Sequence, residues 1–399
     1  MGRSSVDPIV YLDYNATTPI RPEALDAMTR ALATVGNASS AHSPGQQASR
    51  AVEQARAHLA ALLDCSPTEL TFTSGATEAN NLAIRSAVEP GRAIVISTVE
   101  HTAVTEAAEA VAAACASTVY TVRVHHDGTL RLDDLEAALA ERPALVSIMA
   151  ANNETGVVND LSVVVKLAHD AGSLVHTDAT QLVGRLPIDV RELDIDLLSL
   201  SAHKFGGPQG VGALFVRRGA LVAIQPLAFG GGHERGRRPG TLNVAGIVGL
   251  GAAAAAAASR LDQEVAEIRA LRDRLEAGVL AELPDTRLNG RLDSRLPGVS
   301  SMTFSGLPAD AVLAAMPAVA ASEGSACAAG ALEPSRVLLA MGLTRDEAEC
   351  TVRFSLGYAT TTDDIDRAVG YITEAVRHVR ATIGDPTVEA TPSTAGPEE

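Results

Sequence analysis

Lysine is almost missing from this sequence. Of 32 basic residues only Lys166 and Lys204 are lysine, and the rest are arginine. Such a bias fits a GC-rich genome, so the scarcity alone assigns no role. It does make the two survivors conspicuous. Lys166 sits in LSVVVKLAHD, an amphipathic run in which a lysine solvates one face. Lys204 sits in SAHKFGGPQG, between a histidine and a glycine-rich turn. Arginine and lysine are near-equivalent for solvating a surface, but only the amine can lose a proton and attack a carbonyl.

Cysteine is also sparse. Cys65, Cys115, Cys327 and Cys350 form no C-x-x-C pair and no Cys/His cluster at metal-ligand spacing, so no metal site is expected and the thiols are expected free. Cys115, in AEAVAAACAS, and Cys350, before TVRFSLG, read as core residues. Cys65, between a helix and Pro67, reads as structural. Cys327 differs. Its setting, SEGSACAAGAL, surrounds the thiol with small residues, so no bulky side chain buries it.

Positive charge falls short of negative, 32 residues against 48, for a net charge of −16. Unaided binding of DNA or RNA, whose phosphates need a cationic face, is excluded. A leader with a charged n-region is not seen, and no apolar run reaches bilayer length. Ala252–Ala258 is too short and too weakly apolar. A cytoplasmic location without a membrane partner is the expectation.

What the chain does have is alternation. RAIVISTVEH, TVYTVRVH, LVSIMAANNETG, SLVHTDATQ, DLLSLSAHKFGG and GALFVRRG are short and β-rich. Amphipathic runs such as SRAVEQARAHLAALL and RLDDLEAALAE separate several of them. This succession predicts an α/β fold with a mostly parallel sheet over 16–260. A long helix from about Ala254 to Leu283 leads into a smaller α+β domain over 261–384, with residues 1–15 packing beside it. The remainder, 385–399, is rich in Pro, Thr and Glu and reads as a disordered tail.

Ligands of open parallel sheets sit beyond the carboxyl ends of the strands. Four motifs fall there. ELTFTSGATEANNLAI reads as strand, turn and helix, with Ser74, Gly75, Ala76 and Thr77 where a helix N-terminus holds phosphate. SLVHTDATQ ends a strand on Asp178, a partner for a protonated pyridine nitrogen. SLSAHKFGG ends the next on Ser201, His203 and Lys204. ISTVEHTAV places His101 where a flat imidazole can stack on a ring. Each motif alone has an ordinary reading: a capped helix, a turn-capping aspartate, a surface lysine, a buried histidine. Together they match the order expected for a pyridoxal phosphate (PLP) enzyme carried on Lys204.

YLDYNATTP, FTSGATEANNLAI, VEHTAV, NNETGVV, HTDATQ, SAHKFGGPQGVGAL, GGGHERGRRPGT, GSACAAGALEPS and VRFSLG resemble, in that order, the cysteine desulfurases. These are class V members of the fold-type I PLP-dependent transferases, and the resemblance runs from about residue 9 to 380. It implies a homodimer, with a seven-stranded-type sheet in the larger, PLP-binding domain and Cys327 on a loop of the smaller. It implies that Lys204 is the Schiff-base lysine, that Asp178 pairs with the pyridinium and that Gln181 bonds the phenolic oxygen. His101 would stack on the ring and relay protons. Ala76, Thr77, Ser201 and His203 would hold the phosphate, with Thr241 reaching that of the neighbouring subunit. Asn153 and Arg353 would clamp the substrate carboxylate. Cys327 would be the nucleophile that takes sulfur from L-cysteine, leaving L-alanine, and passes it to an acceptor protein.

The chain departs from the family at Phe205-Gly206, where relatives often carry Ile-Tyr, and in its alanine-rich CAAGALEPS. Its acidic C-terminus lacks the apolar, aromatic extension with which many members dock an iron–sulfur scaffold. Overall it most resembles the desulfurases of DNA phosphorothioation systems, with iron–sulfur cluster assembly as the other destination for the sulfur. The alternatives are a selenocysteine lyase, another class V lyase or transaminase, and a silent dimeric scaffold.

Overall fold

A computed structural model of the protein describes residues 8–220, 222–324 and 334–383. Cys327 and the tail 385–399 lie outside the described residues.

Seven strands form one sheet, in the spatial order Leu70–Thr73, Gly212–Val216, Leu197–Ser201, Leu174–Asp178, Leu145–Ser147, Ile94–Ser97 and Val119–Val122. Only Gly212–Val216 runs against its neighbours; the other six strands are parallel. Most of these strands are buried at every residue because both faces are covered. Alternate residues feed opposite cores. Val95, Val146 and Leu198 pack with helices Ser43–Leu63, Leu132–Leu139 and Leu161–Asp170. Ile94, Leu145 and Leu197 pack with helices Ala76–Ala87 and Thr102–Cys115. Parallel pairing brings Thr73, Ser97, Asp178 and Ser201 to one edge of the sheet.

A second body of structure surrounds an antiparallel sheet ordered Thr351–Ser355, Val299–Thr303, Arg287–Leu288. The N-terminal strand Val10–Tyr11 joins Val319–Ala320 in a parallel pair. Val10 and Leu12 pack there with Met302, Phe354 and the helix Thr362–Ile383. Helix Val244–Glu282 serves both bodies: Ile247 and Leu250 pack in the first core, Leu275 and Val279 in the other. Its start needs glycine. A Cβ on Gly251 would stand 2.4 Å from Ala55 Cα, and one on Gly249 would stand 2.6 Å from Met28 Cγ.

This helix differs from the sequence expectation. It is long and apolar enough to cross a membrane by length and composition, and half of the qualifying stretch is buried inside the protein. The alanine run is short, but flanking Gly, Val, Ile and Leu extend it. Of the cysteines, Cys350 is buried, while Cys65 and Cys115 are half-buried; these three are free thiols. Burial pushes the Cys65 thiol up to about 12, which suits an inert role.

Candidate active site

A cavity of about 440 Å³ opens at the strand-end edge of the large sheet. Lys204 lies on its wall, in the short turn Ala202–Lys204 that follows Leu197–Ser201. Its Nζ donates to Asn15 O at 2.5 Å and Ala16 O at 2.9 Å. Arg185 fixes the same corner. It donates to Lys204 O at 3.1 Å, to Tyr14 O at 2.8 Å and to the Asn15 side chain. These acceptors are carbonyl oxygens, and burial, aided by Arg353, pulls the Arg185 pKa down to about 10. Lys166, by contrast, makes an exposed ion pair with Asp170 one helical turn away.

One end of the cavity suits a phosphate. Helix Ala76–Ala87 begins there without a side-chain cap, so its first N–H groups remain for an anion. The turn before it is pressed against the sheet, since a Cβ on Gly212 would stand 2.6 Å from Gly75 Cα. Ala76, Thr77, Ser201 and His203 all line this end. His203 Nδ1 lies 3.1 Å from Thr17 Oγ1, and burial, with Lys204 and Arg185 nearby, lowers its pKa to about 4. At neutral pH it is therefore a neutral hydrogen-bonding group.

The middle suits a pyridine ring. Asp178, at its strand's end, accepts from Asn80 Nδ2 at 2.7 Å and Thr180 N at 3.0 Å. His101 caps helix Thr102–Cys115, its Nδ1 accepting from Ala103 N at 3.1 Å. Burial holds its pKa down, so the ring is neutral and carries its proton on Nε2. Gln181 Nε2 donates to Asn15 O at 3.1 Å. Among the described residues, Gln181 Oε1, Thr180 Oγ1 and Asn80 Oδ1 are buried without a hydrogen-bond partner. Buried polar atoms are normally paired, so a cluster of orphans marks a place for a polar ligand. An uncapped anion cradle, a carboxylate and an amine around these orphans fit PLP.

The far end carries Arg353 and Asn153. Arg353 is 2% exposed. It donates to Asp13 Oδ1 at 2.7 Å and Asn153 O at 3.0 Å, while its Nε is buried without a partner among the described residues. A buried fork with an unused N–H is suited to a small carboxylate.

The structure thus gathers Ala76, Thr77, His101, Asn153, Asp178, Gln181, Ser201, His203, Lys204 and Arg353 around one cavity. Thr241 is exposed and is not among the lining residues of this cavity. The turn before it is pinned by buried Glu234, which pairs with Arg56 at 2.6 Å and accepts from Phe72 N at 2.8 Å. Sequence reasoning assigned no role to Asn15, Asn80 or Arg185. For Asn15 the signal was present, in the quoted YLDYNATTP.

The chain matches the family model described as aminotransferase class-V over residues 10–368. It is 43% identical over 377 residues to the cysteine desulfurase IscS of Anaeromyxobacter dehalogenans, covering 93% of each chain. A solved NifS-like protein superposes with a TM-score of 0.86 at 34% identity, over 93% of this chain and 100% of the other. The crystal structure of DndA from Streptomyces lividans gives a TM-score of 0.72 at 35% identity, over 86% and 98% respectively. The chain therefore belongs to the class V aminotransferase family, and cysteine desulfurases are among its relatives there.

Proposed function

We propose that this protein is a PLP-dependent cysteine desulfurase. The observation that carries the reading is the cavity itself, which sets Lys204 between an uncapped helix N-terminus and Asp178 and within reach of a buried arginine fork. Bound there, PLP supplies an electron sink for the substrate's α-carbon. The residues do the rest. Ala76, Thr77, Ser201 and His203 bind phosphate. Asp178 would keep a proton on the ring nitrogen, and Asn80 and Thr180 hold that carboxylate in place. Gln181 bonds the ring oxygen. Arg353 and Asn153 orient the cysteine carboxylate. Lys204 Nζ, aimed by two carbonyls, anchors the cofactor and moves the Cα proton. His101, a neutral donor at Nε2, would lie over the ring and relay protons.

Cys327 takes the sulfur. Its thiolate attacks the substrate sulfur, the Cβ–S bond breaks and an S–S bond forms. Cβ gains a proton and leaves as part of alanine, so the persulfide and alanine account for every atom. Sulfur then passes to an acceptor protein of iron–sulfur cluster assembly or DNA phosphorothioation, in the cytoplasm. The working unit is a homodimer in which Thr241 reaches the neighbouring phosphate. A larger domain over 16–260 and a smaller one built from 1–15 and 261–384 complete the reading: Val10, Leu12, Leu275, Met302 and Phe354 share a core of their own, while Leu296, Val299, Val337 and Met341 pack into the larger domain's core. The test is direct. Lys204→Ala should abolish both the visible cofactor absorbance shift on adding cysteine and alanine release. Cys327→Ser should keep the shift and lose the persulfide. Alanine release by Lys204→Ala at the wild-type rate overturns the reading.

A further inference from the structure

The guanidinium assigned to the substrate carboxylate already holds a carboxylate of the chain. Arg353 donates to Asp13 Oδ1 at 2.7 Å, and among the described residues it makes no other ion pair. Arg353 lines the cavity, whereas Asp13 is not among the lining residues. Asp13 therefore reaches the fork from outside the lining. The two side chains differ in exposure, 2% for Arg353 against 19% for Asp13, and the orphaned Nε of Arg353 is left over for a ligand.

Asp13 keeps its place without help from Arg353. Strand Val10–Tyr11 leads into it, and Leu12 N donates to Ala320 O at 2.8 Å. Asp13 itself bridges to Ser355, two residues beyond Arg353. The Asp13 carbonyl accepts from Ala16 N at 3.0 Å and from the Tyr11 hydroxyl at 3.1 Å. The same segment then supplies Asn15 O and Ala16 O to Lys204 Nζ.

Orienting an arginine here does not require a charge. Arg185 is aimed by Tyr14 O, the Asn15 side chain and Lys204 O, all neutral. Residues 13–15 thus orient two arginines of one site, one with a carboxylate and one with neutral oxygens. The carboxylate falls on the arginine at the substrate end. Glu154 also feels the Arg353 charge, but burial raises its carboxyl pKa, and it accepts from Ser335 instead. A ligand carboxylate on Arg353 must therefore share the fork with Asp13. Cysteine and alanine carry the same α-carboxylate, and a contact made equally by both cannot favour the chemical step. Tightening it only slows release of the product.

We propose that Asp13 is a positioning residue that sets the charge of the substrate clamp: paired with Arg353, it weakens the hold on any α-carboxylate and so lets alanine leave. This rests on the desulfurase reading, with Arg353 as the clamp, and adds to it how strongly the clamp closes.

The test uses the full-length, PLP-loaded protein and L-alanine, which has no sulfur to give up. The alanine concentration for half the visible absorbance change reads affinity, and its reversal on rapid dilution reads release. Asp13→Asn keeps an acceptor for Arg353 and removes the charge. It should lower the alanine midpoint about 10- to 100-fold and slow release, since like charges about 5 Å apart at an effective dielectric of about 20 repel at least that strongly. L-alaninamide, which lacks the carboxylate, should show no such gain. Asp13→Ser, also neutral, carries the same expectation should Asp13→Asn fail to fold. A residue that merely orients Arg353 gives the opposite pattern: a wild-type midpoint in Asp13→Asn and a raised one in Asp13→Ala. That pattern overturns the proposal, and so does an equal gain for L-alaninamide. Arg353→Gln separates the two failures. If it raises the alanine midpoint while Asp13→Asn does not lower it, the proposal falls alone. If it leaves the midpoint unchanged, Arg353 is not the clamp, and the reading beneath falls with the proposal.

Discussion

Glu100, the residue before His101, shows how far burial moves a single group here. Its Oε1 accepts from Ser97 Oγ at 2.6 Å and Met149 N at 2.9 Å, and burial pushes its pKa from the ordinary 4.5 to about 8. The sign follows. Between these values the folded protein keeps a proton that the unfolded chain has released, so this contribution to stability is complete below 4.5 and is lost as pH rises through 8. Glu100→Gln should therefore flatten the fall in thermal midpoint between about pH 6 and pH 8.5, measured by calorimetry on the holoenzyme. Asp178→Asn should retain the Asn80 contact through its amide oxygen but lose the charge facing the ring. Alanine release should fall about 10²–10³-fold, the usual cost of removing one preorganised electrostatic group. Lys204, Asp178 and His101 were legible in the sequence because a strand end is a local event. Arg353 was not legible from its own surroundings, and only the family resemblance marked it. Asn80, like Asn15, lay inside a quoted motif, FTSGATEANNLAI, while Arg185 was unreadable for a physical reason: it acts on Tyr14, Asn15 and Lys204, and nothing local encodes such contacts.

At the scale of elements, β-rich runs separated by amphipathic ones were enough to anticipate the large sheet. The seam between its strand ends and the long helix was not. Arg21 crosses that seam. It donates to Phe205 O at 3.0 Å, forms a bidentate pair with Glu264 at 2.7 and 2.6 Å, and lies 4.2 Å from the centre of the Tyr358 ring. Gly206 makes room for it: φ is +91°, and a Cβ would stand 2.4 Å from Arg21 Cγ. The departure from Ile-Tyr noted in the sequence thus falls where this chain buries an arginine stem. Removing one partner of a buried pair strands the other charge. Arg21→Met should cost about 3–5 kcal/mol, and Arg21→Met with Glu264→Leu distinctly less, as read from denaturant midpoints. Gly206→Ala should also lower the midpoint, by about 1–3 kcal/mol, through backbone strain and the clash with Arg21.

For the molecule as a whole, charge and assembly matter most. At −16 net charge, duplex DNA should not be retained by the isolated protein at about 0.15 M salt, whatever pathway receives the sulfur. A site completed by a second copy has a sharper signature. Thr241 is exposed, and Phe229 in the preceding loop is 89% exposed. If Thr241 serves the neighbouring phosphate, a mixed dimer of Lys204→Ala with Thr241→Ala regains one intact site. Mixing the two inactive or weakened proteins under subunit exchange should then raise alanine release above either alone; no gain places Thr241 outside the partner's site.

The helix Val244–Glu282 has one more consequence. Because Ile247 and Leu250 are seated in one core and Leu275 and Val279 in another, the two ends share a fixed rotational phase. Adding a single residue near Ser259 would turn one end by about 100° and advance it about 1.5 Å relative to the other. Substitutions at its exposed positions, such as Ser259, Asp262 and Gln263, should be absorbed easily, whereas a one-residue insertion should throw Arg353 and Lys204 out of alignment without touching either.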